Sequence, residues 1–210
     1  MPFEKEQFIS SVQVLPQAHQ IAFAASCSER LIPIYKAFQI VEGWGNYPAL
    51  RRNLDYVWEN VGTGKADVGA IEKTLKECEE LIPDADDFQN VYLIGAQYSA
   101  ISILHSTALM NATDAEALYK VSKCCLETTH GFLSDVNDPT LKVHAIDGRF
   151  EDWIDSAPLY QWELKKQSED LALLASVQVL DDLFLREFRE SSAAGGISPF
   201  ARGLLKDKMI

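Results

Sequence analysis

The chain of 210 residues lacks the motifs that most directly identify an enzyme or a cofactor-binding protein. Its four cysteines, at positions 27, 78, 124 and 125, form no Cys-x-x-Cys pair and do not have the spacing of zinc ligands. It also contains no glycine-rich phosphate loop, no dinucleotide fingerprint and no Gly-x-Ser-x-Gly elbow. We therefore predict no catalytic residue, no metal site and no cofactor.

Basic residues are scarce: 19 lysines and arginines stand against 31 aspartates and glutamates, which gives a net charge of −12. Phosphate binding needs clustered positive charge, so this balance argues against a nucleic-acid partner and against an anionic membrane surface. A basic protein partner remains compatible with it, but a negative surface also simply keeps many cytosolic proteins soluble, and we favour this second interpretation. The first residues lack the basic and then apolar pattern of a signal peptide, and the cysteines are typical of reduced core thiols, so we predict a cytoplasmic protein.

One stretch, 88–113, contains no charged residue at all, although charged residues make up 24% of the chain. Serines, histidine and glutamine make it too polar for a membrane span. A helix with no charged face has no side to present to water, so we expect it to lie inside a ring of other helices. Small residues at helical spacing would let its neighbours approach closely; they are Gly95, Ser99, Ser102 and Ser106.

Apolar residues elsewhere recur at helical spacing, and we predict an all-α, mainly up-and-down bundle of about seven helices around a central uncharged helix, 92–111. Residues 1–195 form one domain in this prediction, and 196–210 form a short tail. Pro33 either kinks a helix or starts the next one. Residues 134–157 are predicted to be a connecting loop with a short helix near 150–154, and a long helix is predicted over 156–191.

Polar residues before several helices are candidate caps. Asp67 is predicted to cap the helix that runs to about residue 81. Thr113 and Glu116 have the spacing of a capping box. The start of the central helix is predicted to be fixed by one of three acidic residues, Asp84, Asp86 and Asp87.

Three patterns could bind a metal or act as a base, and each has a simpler interpretation. Glu127 and His130 form a single Glu-x-x-His unit, whereas a di-iron bundle needs two such units and two further glutamates. The aspartates of 134–140 lack the glycine and the last glutamate of a calcium loop. His105, within the uncharged stretch, is typical of a hydrogen-bonded core histidine that burial keeps neutral.

A mixed group of charged and aromatic residues in the first half of the chain is the candidate ligand- or partner-binding site. If the two helices that carry it pack together, charges lined by aromatic rings could bind a small polar ligand. The alternative is a set of ion pairs that only orient the helices. The group comprises Glu29, Arg30, Tyr35, Arg51, Asp55, Trp58 and Glu59.

Several motifs in this chain resemble those of the bacterial YjaG-like family. They are CSERLIPIY at 27–35, RRNLDYVWE at 51–59, IPDADDF at 82–88 and QWE at 161–163. The resemblance extends from about residue 15 to about residue 194, except around 134–157. It implies an all-α, up-and-down helical fold in a bacterial protein of unknown function, with a suggested role in signalling and no established catalytic residue.

Our first hypothesis is therefore a non-enzymatic cytoplasmic protein that binds a protein partner or a small polar ligand, in a signalling setting. The alternative is an enzyme or a metal-binding bundle that uses Glu29, Asp55, Glu59 and His105. The sequence does not indicate the oligomeric state.

Overall fold

The computed structural model describes residues 5–63, 66–135 and 150–193, and every regular element within these ranges is a helix. The described helices are α1 (Lys5–Gln13), α2 (Gln17–Glu42), α3 (Tyr47–Asn60), α4 (Val68–Glu80), α5 (Leu93–Ala108), α6 (Ala115–Asp135), α7 (Phe150–Ser156), α8 (Pro158–Ser176) and α9 (Asp182–Ser192). The predicted all-α class is confirmed. Most of the predicted 134–157 connection and the predicted tail, 196–210, lie outside the described residues.

Two helices share the centre of the bundle. The uncharged helix α5 packs against α2, α3, α4 and α6, as its composition predicts. Beside it, α2 buries 18 of its 26 side chains and contacts α3, α5, α6, α8 and α9. Pro33 lies inside α2, which continues through it to Glu42.

Small side chains bring α2 and α5 close together. The Ser99 hydroxyl donates to the Leu31 carbonyl at 2.8 Å, and the hydroxyls of Ser28 and Ser106 lie 3.1 Å apart. A Cβ atom on Gly95 would lie 2.6 Å from Cγ2 of Ile34, so a larger residue there would push the helices apart. The close approach predicted from the small residues is therefore observed.

Asp67 caps α4 as predicted, because its carboxylate accepts from the backbone N–H of Ala70 at 2.8 Å. The capping box at α6 was a wrong prediction. Asp114 caps this helix instead. Its Oδ1 accepts from the backbone N–H groups of Glu116 at 2.9 Å and Ala117 at 3.2 Å. Asp114 is one residue closer to the first turn than Thr113, so its carboxylate reaches these N–H donors directly.

The predicted acidic cap of the central helix was also wrong. The helix begins at Leu93, too far along the chain for the aspartates at 84–87 to reach its first N–H groups. Asp84 instead accepts from the N–H of Asp86 at 3.0 Å, which closes a local turn. The side chain of Asn90 accepts from the N–H of Tyr92 at 2.8 Å.

The long helix predicted over 156–191 is two helices, α8 and α9, separated by residues 177–181. Val177 is extended, with φ −107° and ψ 142°, and Asp181 caps α9 by accepting from the N–H of Phe184 at 2.8 Å. The β-branched residues of 177–179 and this cap outweigh the helix-forming residues on either side. The break lets α9 pack against α2, with Arg189 beside α3.

Candidate functional site

Glu29 is the centre of a polar group that joins α2, α3 and α9, which we call the outer cluster (Glu29, Arg51, Asp55, Trp58 and Arg189). Arg51 donates to both oxygens of Glu29, at 2.6 and 3.0 Å. The indole N–H of Trp58 donates to Oε2 of Glu29 at 2.9 Å, and Nε of Arg189 lies 3.4 Å from the same oxygen. The Glu29 carboxylate therefore has a partner on each side.

Asp55 completes the outer cluster. Its Oδ1 lies 2.9 Å from Nη2 of Arg51 and also accepts from Nη2 of Arg189. The guanidinium of Arg189 lies 5.7 Å from the centre of the Trp58 ring. Burial lowers the pKa of Arg51, but the hydrogen bonds and charges of Glu29 and Asp55 outweigh burial and raise it. Two arginines and two carboxylates thus neutralise one another within the outer cluster.

Arg30 points away from the outer cluster into a second group, the inner network (Arg30, Glu163, Asp170, Lys166 and Gln167). Its Nε and Nη2 donate to Glu163 at 3.0 and 2.8 Å, and Nη1 donates to Asp170 at 3.0 Å. The side chains of Arg30 and Glu163 are 0% exposed, and that of Asp170 is 2% exposed. This network ties α8 to α2 in a site closed to solvent.

Both carboxylates of the inner network have a second partner. Gln167 donates to Glu163 at 2.8 Å, and Lys166 pairs with Asp170. Burial lowers the pKa of Arg30, but the neighbouring Glu163 carboxylate outweighs it and holds the pKa well above its usual range. A buried ion pair with satisfied hydrogen bonds fixes helix positions and offers a ligand no access.

The two remaining candidate residues lie elsewhere. Tyr35 is 0% exposed, and its hydroxyl donates to the Leu81 carbonyl at 2.9 Å. Its ring packs on Gly45, where φ is +95° and a Cβ atom would lie 2.7 Å from the Tyr35 oxygen. Burial raises the pKa of Tyr35 to about 12. Glu59 is exposed and forms no ion pair with any residue in the described ranges.

The outer cluster borders an open groove of about 320 Å³ between the end of α3 and the start of α9, which we call the α3–α9 groove. Trp58, Leu180 and Leu185 supply its apolar walls, and Glu59 and Asp182 stand on its rim. Asp182, like Glu59, has no ion-pair partner among the described residues. Apolar walls with unpaired carboxylates at the edge are suited to a cationic group on an apolar stem.

The residues of the alternative hypothesis are not brought together with His105. That histidine is half-buried in a groove between α5 and α6, and its ring forms no hydrogen bond to a described residue, so the expected hydrogen-bonded core position was wrong. Burial and the nearby Lys120 lower its pKa. Glu127 pairs with Lys123 at 2.5 Å, and His130 lies 3.5 Å from Glu151. Within the described ranges, no group of three or more His, Cys, Asp and Glu side chains is placed to hold a metal ion.

None of the helices described is both long enough and apolar enough to cross a membrane. The candidate calcium loop at 134–140 lies almost wholly outside the described residues.

Comparison with known proteins identifies a matching family model and several related proteins. A family model described as "Protein of unknown function (DUF416)" matches residues 7–200. The chain is 33% identical over 111 residues to the uncharacterized protein YjaG of Escherichia coli K12, an alignment that covers 51% of this chain and 55% of that protein. The YjaG protein of Salmonella typhimurium is 32% identical over the same length. The alignment thus spans about half the length of the curated relatives.

The fold also has a crystallographic counterpart. The crystal structure of a DUF416 family protein from Shewanella baltica superposes with a TM-score of 0.78 and covers 91% of this chain and 95% of that one. Sequence identity is 19%, so this likeness shows the fold alone.

Proposed function

The chain belongs to DUF416, a family of proteins of unknown function, and we propose that it is a non-enzymatic binding protein that holds a basic segment of a protein partner in the α3–α9 groove. The sequence-based resemblance to YjaG-like proteins is confirmed by these relatives. Because the family description gives no activity, the proposal rests on the side chains of this chain.

The observation that carries the proposal is the pair of unpartnered carboxylates on the groove rim. Glu59 and Asp182 both line the groove and both lack a cationic partner in the described part of the chain. Trp58, Leu180 and Leu185 supply the apolar part of a lining that also includes Gly62 and Thr63. An arginine or lysine side chain would place its aliphatic stem against Trp58 and its charge at these carboxylates.

The outer cluster has a supporting role in this proposal. Glu29 and Arg189 hold the Trp58 ring from two sides, so the groove wall is rigid before a partner binds. A wall that does not reorganise costs less conformational entropy on binding. Of the sequence-predicted site residues, Trp58 and Glu59 contact the partner in our proposal, while Glu29, Arg51 and Asp55 position the wall.

The size and charge of the groove define the occupant. A volume of about 320 Å³ is at the lower end of ligand pockets. It accommodates one or two side chains of an extended or helical segment rather than a large cofactor. The net charge of −12 attracts a basic partner from a distance.

We extend the proposal to the compartment. The four cysteines are buried free thiols, which suits the reducing cytoplasm of a bacterium. A signalling protein that exposes a basic segment is an example of the partner that we propose.

A direct test uses a short fluorescein-labelled peptide of alternating arginine and leucine, with a glutamate-and-leucine peptide as its counterpart. Fluorescence anisotropy would give the affinity for the native chain and for Glu59→Gln/Asp182→Asn. We expect only the basic peptide to bind and the double variant to weaken binding about tenfold.

The matched control is Glu79→Gln/Asp87→Asn, which removes the same charge from two exposed residues that do not line the α3–α9 groove, Glu79 in the last turn of α4 and Asp87 between α4 and α5. This control should keep at least half of the native affinity. An equal loss in both double variants would mean that only net charge matters, and it would contradict a site in the α3–α9 groove.

A further inference from the structure

A second groove lies between α5 and α6 and is separate from the α3–α9 groove. Its volume is about 220 Å³. Tyr98, Ile101 and His105 line it from α5, and Tyr119, Lys120 and Glu127 are among the residues that line it from α6. The two tyrosines and Ile101 make most of the wall apolar, which suits an aromatic ring. The Tyr119 ring also packs against Phe8, with centroids 5.7 Å apart, and its centre lies 5.6 Å from Nζ of Lys5.

The charges of this groove are arranged along its length. Tyr98 interacts electrostatically with Glu127 and Lys123, whereas His105 interacts with Lys120 and Asp114. One end of the groove therefore carries Glu127, and the other carries Lys120 with Asp114 close by. A ligand with an acidic group at one end and a hydroxyl at the other would match this polarity.

Lys120 is the unneutralised charge of the groove. Glu127 is already paired with Lys123 at 2.5 Å. Lys120 is exposed and forms no ion pair with another described residue. The lining thus carries one more positive than negative side chain, in a chain whose net charge is −12. A local reversal of the overall charge favours an anion at this point on the surface.

The polar tips inside the groove also lack partners. Across the described ranges, no hydrogen bond is formed by the hydroxyls of Tyr98 and Tyr119 or by the ring nitrogens of His105. Both hydroxyls and the imidazole can donate or accept, so they can bind a polar substituent on either side of a ring.

We infer that the α5–α6 groove binds a small aromatic carboxylate, with its ring between Tyr98 and Tyr119 and its carboxylate at Lys120 and His105. The inference is independent of the proposed partner-binding function, because it uses a different pair of helices. In this inference His105 binds the ligand, and it acts neither as a catalytic base nor as a metal ligand.

The probe for the test is 4-hydroxybenzoate, with tyramine as a cation of similar shape and benzyl alcohol as a neutral ring. Titration of the ¹⁵N-labelled chain, followed by amide shifts of α5 and α6, reports both location and affinity. We expect saturable binding of 4-hydroxybenzoate with Kd below about 1 mM. Tyramine and benzyl alcohol should bind at least tenfold more weakly.

Lys120→Gln should weaken 4-hydroxybenzoate binding at least fivefold, since it removes only an exposed charge. Its control is Lys73→Gln, an exposed lysine on α4 without an ion pair among the described residues, which should bind as the native chain does. Binding that tyramine matches, or that Lys120→Gln leaves unchanged, would overturn the inference. So would the absence of saturable shifts in α5 and α6.

Discussion

Glu29 and Arg30 are neighbours on α2, yet they belong to two networks that differ in access to water. Arg30 is 0% exposed and is paired with Glu163 and Asp170 of α8. Glu29 faces α3 and α9, and its side chain is 10% exposed, while those of its partners Arg51 and Arg189 are 19% and 34% exposed. One step along a helix turns the chain by about 100°, so adjacent residues meet different neighbours.

The comparison shows that arginine–carboxylate pairs hold helices together in the inner network and shape a surface in the outer cluster. When a partner is removed from a buried pair, an uncompensated charge stays in a medium that solvates it poorly. When a partner is removed from a half-exposed pair, water takes its place. The inner network should therefore dominate stability, and the outer cluster should tolerate change.

The largest effect is expected for Arg30→Met, which leaves Glu163 buried without its arginine. We expect a loss of about 3–5 kcal/mol in the free energy of unfolding, measured by urea denaturation. The control Arg52→Met removes an exposed arginine 3.6 Å from Glu77 and should cost less than about 1 kcal/mol. If both variants lost the same amount, the contrast between the networks would be lost.

Glu29→Gln should cost less, about 1–2 kcal/mol, because glutamine still accepts from the Trp58 indole and Arg51 and Arg189 retain Asp55. The same urea measurement applies. A cost as large as that of Arg30→Met would show that the outer cluster is energetically buried, contrary to its exposure.

Tyr35→Phe tests a contribution to stability at alkaline pH that comes from neither network. Burial raises the pKa of Tyr35 to about 12, above the value of about 10 in the unfolded chain. The folded state therefore resists deprotonation, and this contribution to stability is full below pH 10 and is lost as the pH rises from 10 to 12.

The variant should lose about 1 kcal/mol at neutral pH with the hydrogen bond to Leu81. Its stability should then fall less steeply above pH 10 than that of the native chain. Arginine stays protonated in this range, so Arg30→Met should keep the native slope. A native slope in Tyr35→Phe would show that Tyr35 does not titrate as described.

The smallest expected effect is that of salt. Raising NaCl from about 0.1 to about 1 M should shrink the difference between Glu29→Gln and the native chain by a few tenths of a kcal/mol, because exposed charges are screened. The difference for Arg30→Met should stay constant, since the inner network is closed to ions. Paired urea titrations at the two salt concentrations measure both. Equal salt sensitivity would remove the distinction between the networks.

Local patterns predicted the parts of the molecule that depend on neighbours in sequence. The uncharged stretch identified α5, and its small residues predicted a closely packed neighbour, which the structure shows to be α2. Arg51, Asp55 and Glu59 recur at every fourth residue, which predicted a column on one face of α3 beside Trp58. The structure pairs Arg51 and Trp58 with Glu29. These features follow from helical periodicity, which a single sequence displays.

The long-range pairs could not be predicted in this way. Arg30 and Glu163 are 133 residues apart, and no local pattern indicates which helix supplies the partner of Arg30. A signal existed on α8, where Glu163, Gln167 and Asp170 put polar groups on the face that the structure buries. Arg189 was missed because one continuous helix was predicted over 156–191. The observed break at 177–181 brings Arg189 beside α3.

The central claim is that the outer cluster borders a binding surface while the inner network only holds the fold. One titration of the ¹⁵N-labelled chain with the arginine-and-leucine peptide tests it, because the indole N–H of Trp58 and the Nε–H of Arg30 each give a signal, assigned with Trp58→Phe and Arg30→Lys. We expect the Trp58 signal to move and saturate while the Arg30 signal stays in place. A stationary Trp58 signal, or an equal shift of both, would contradict the claim.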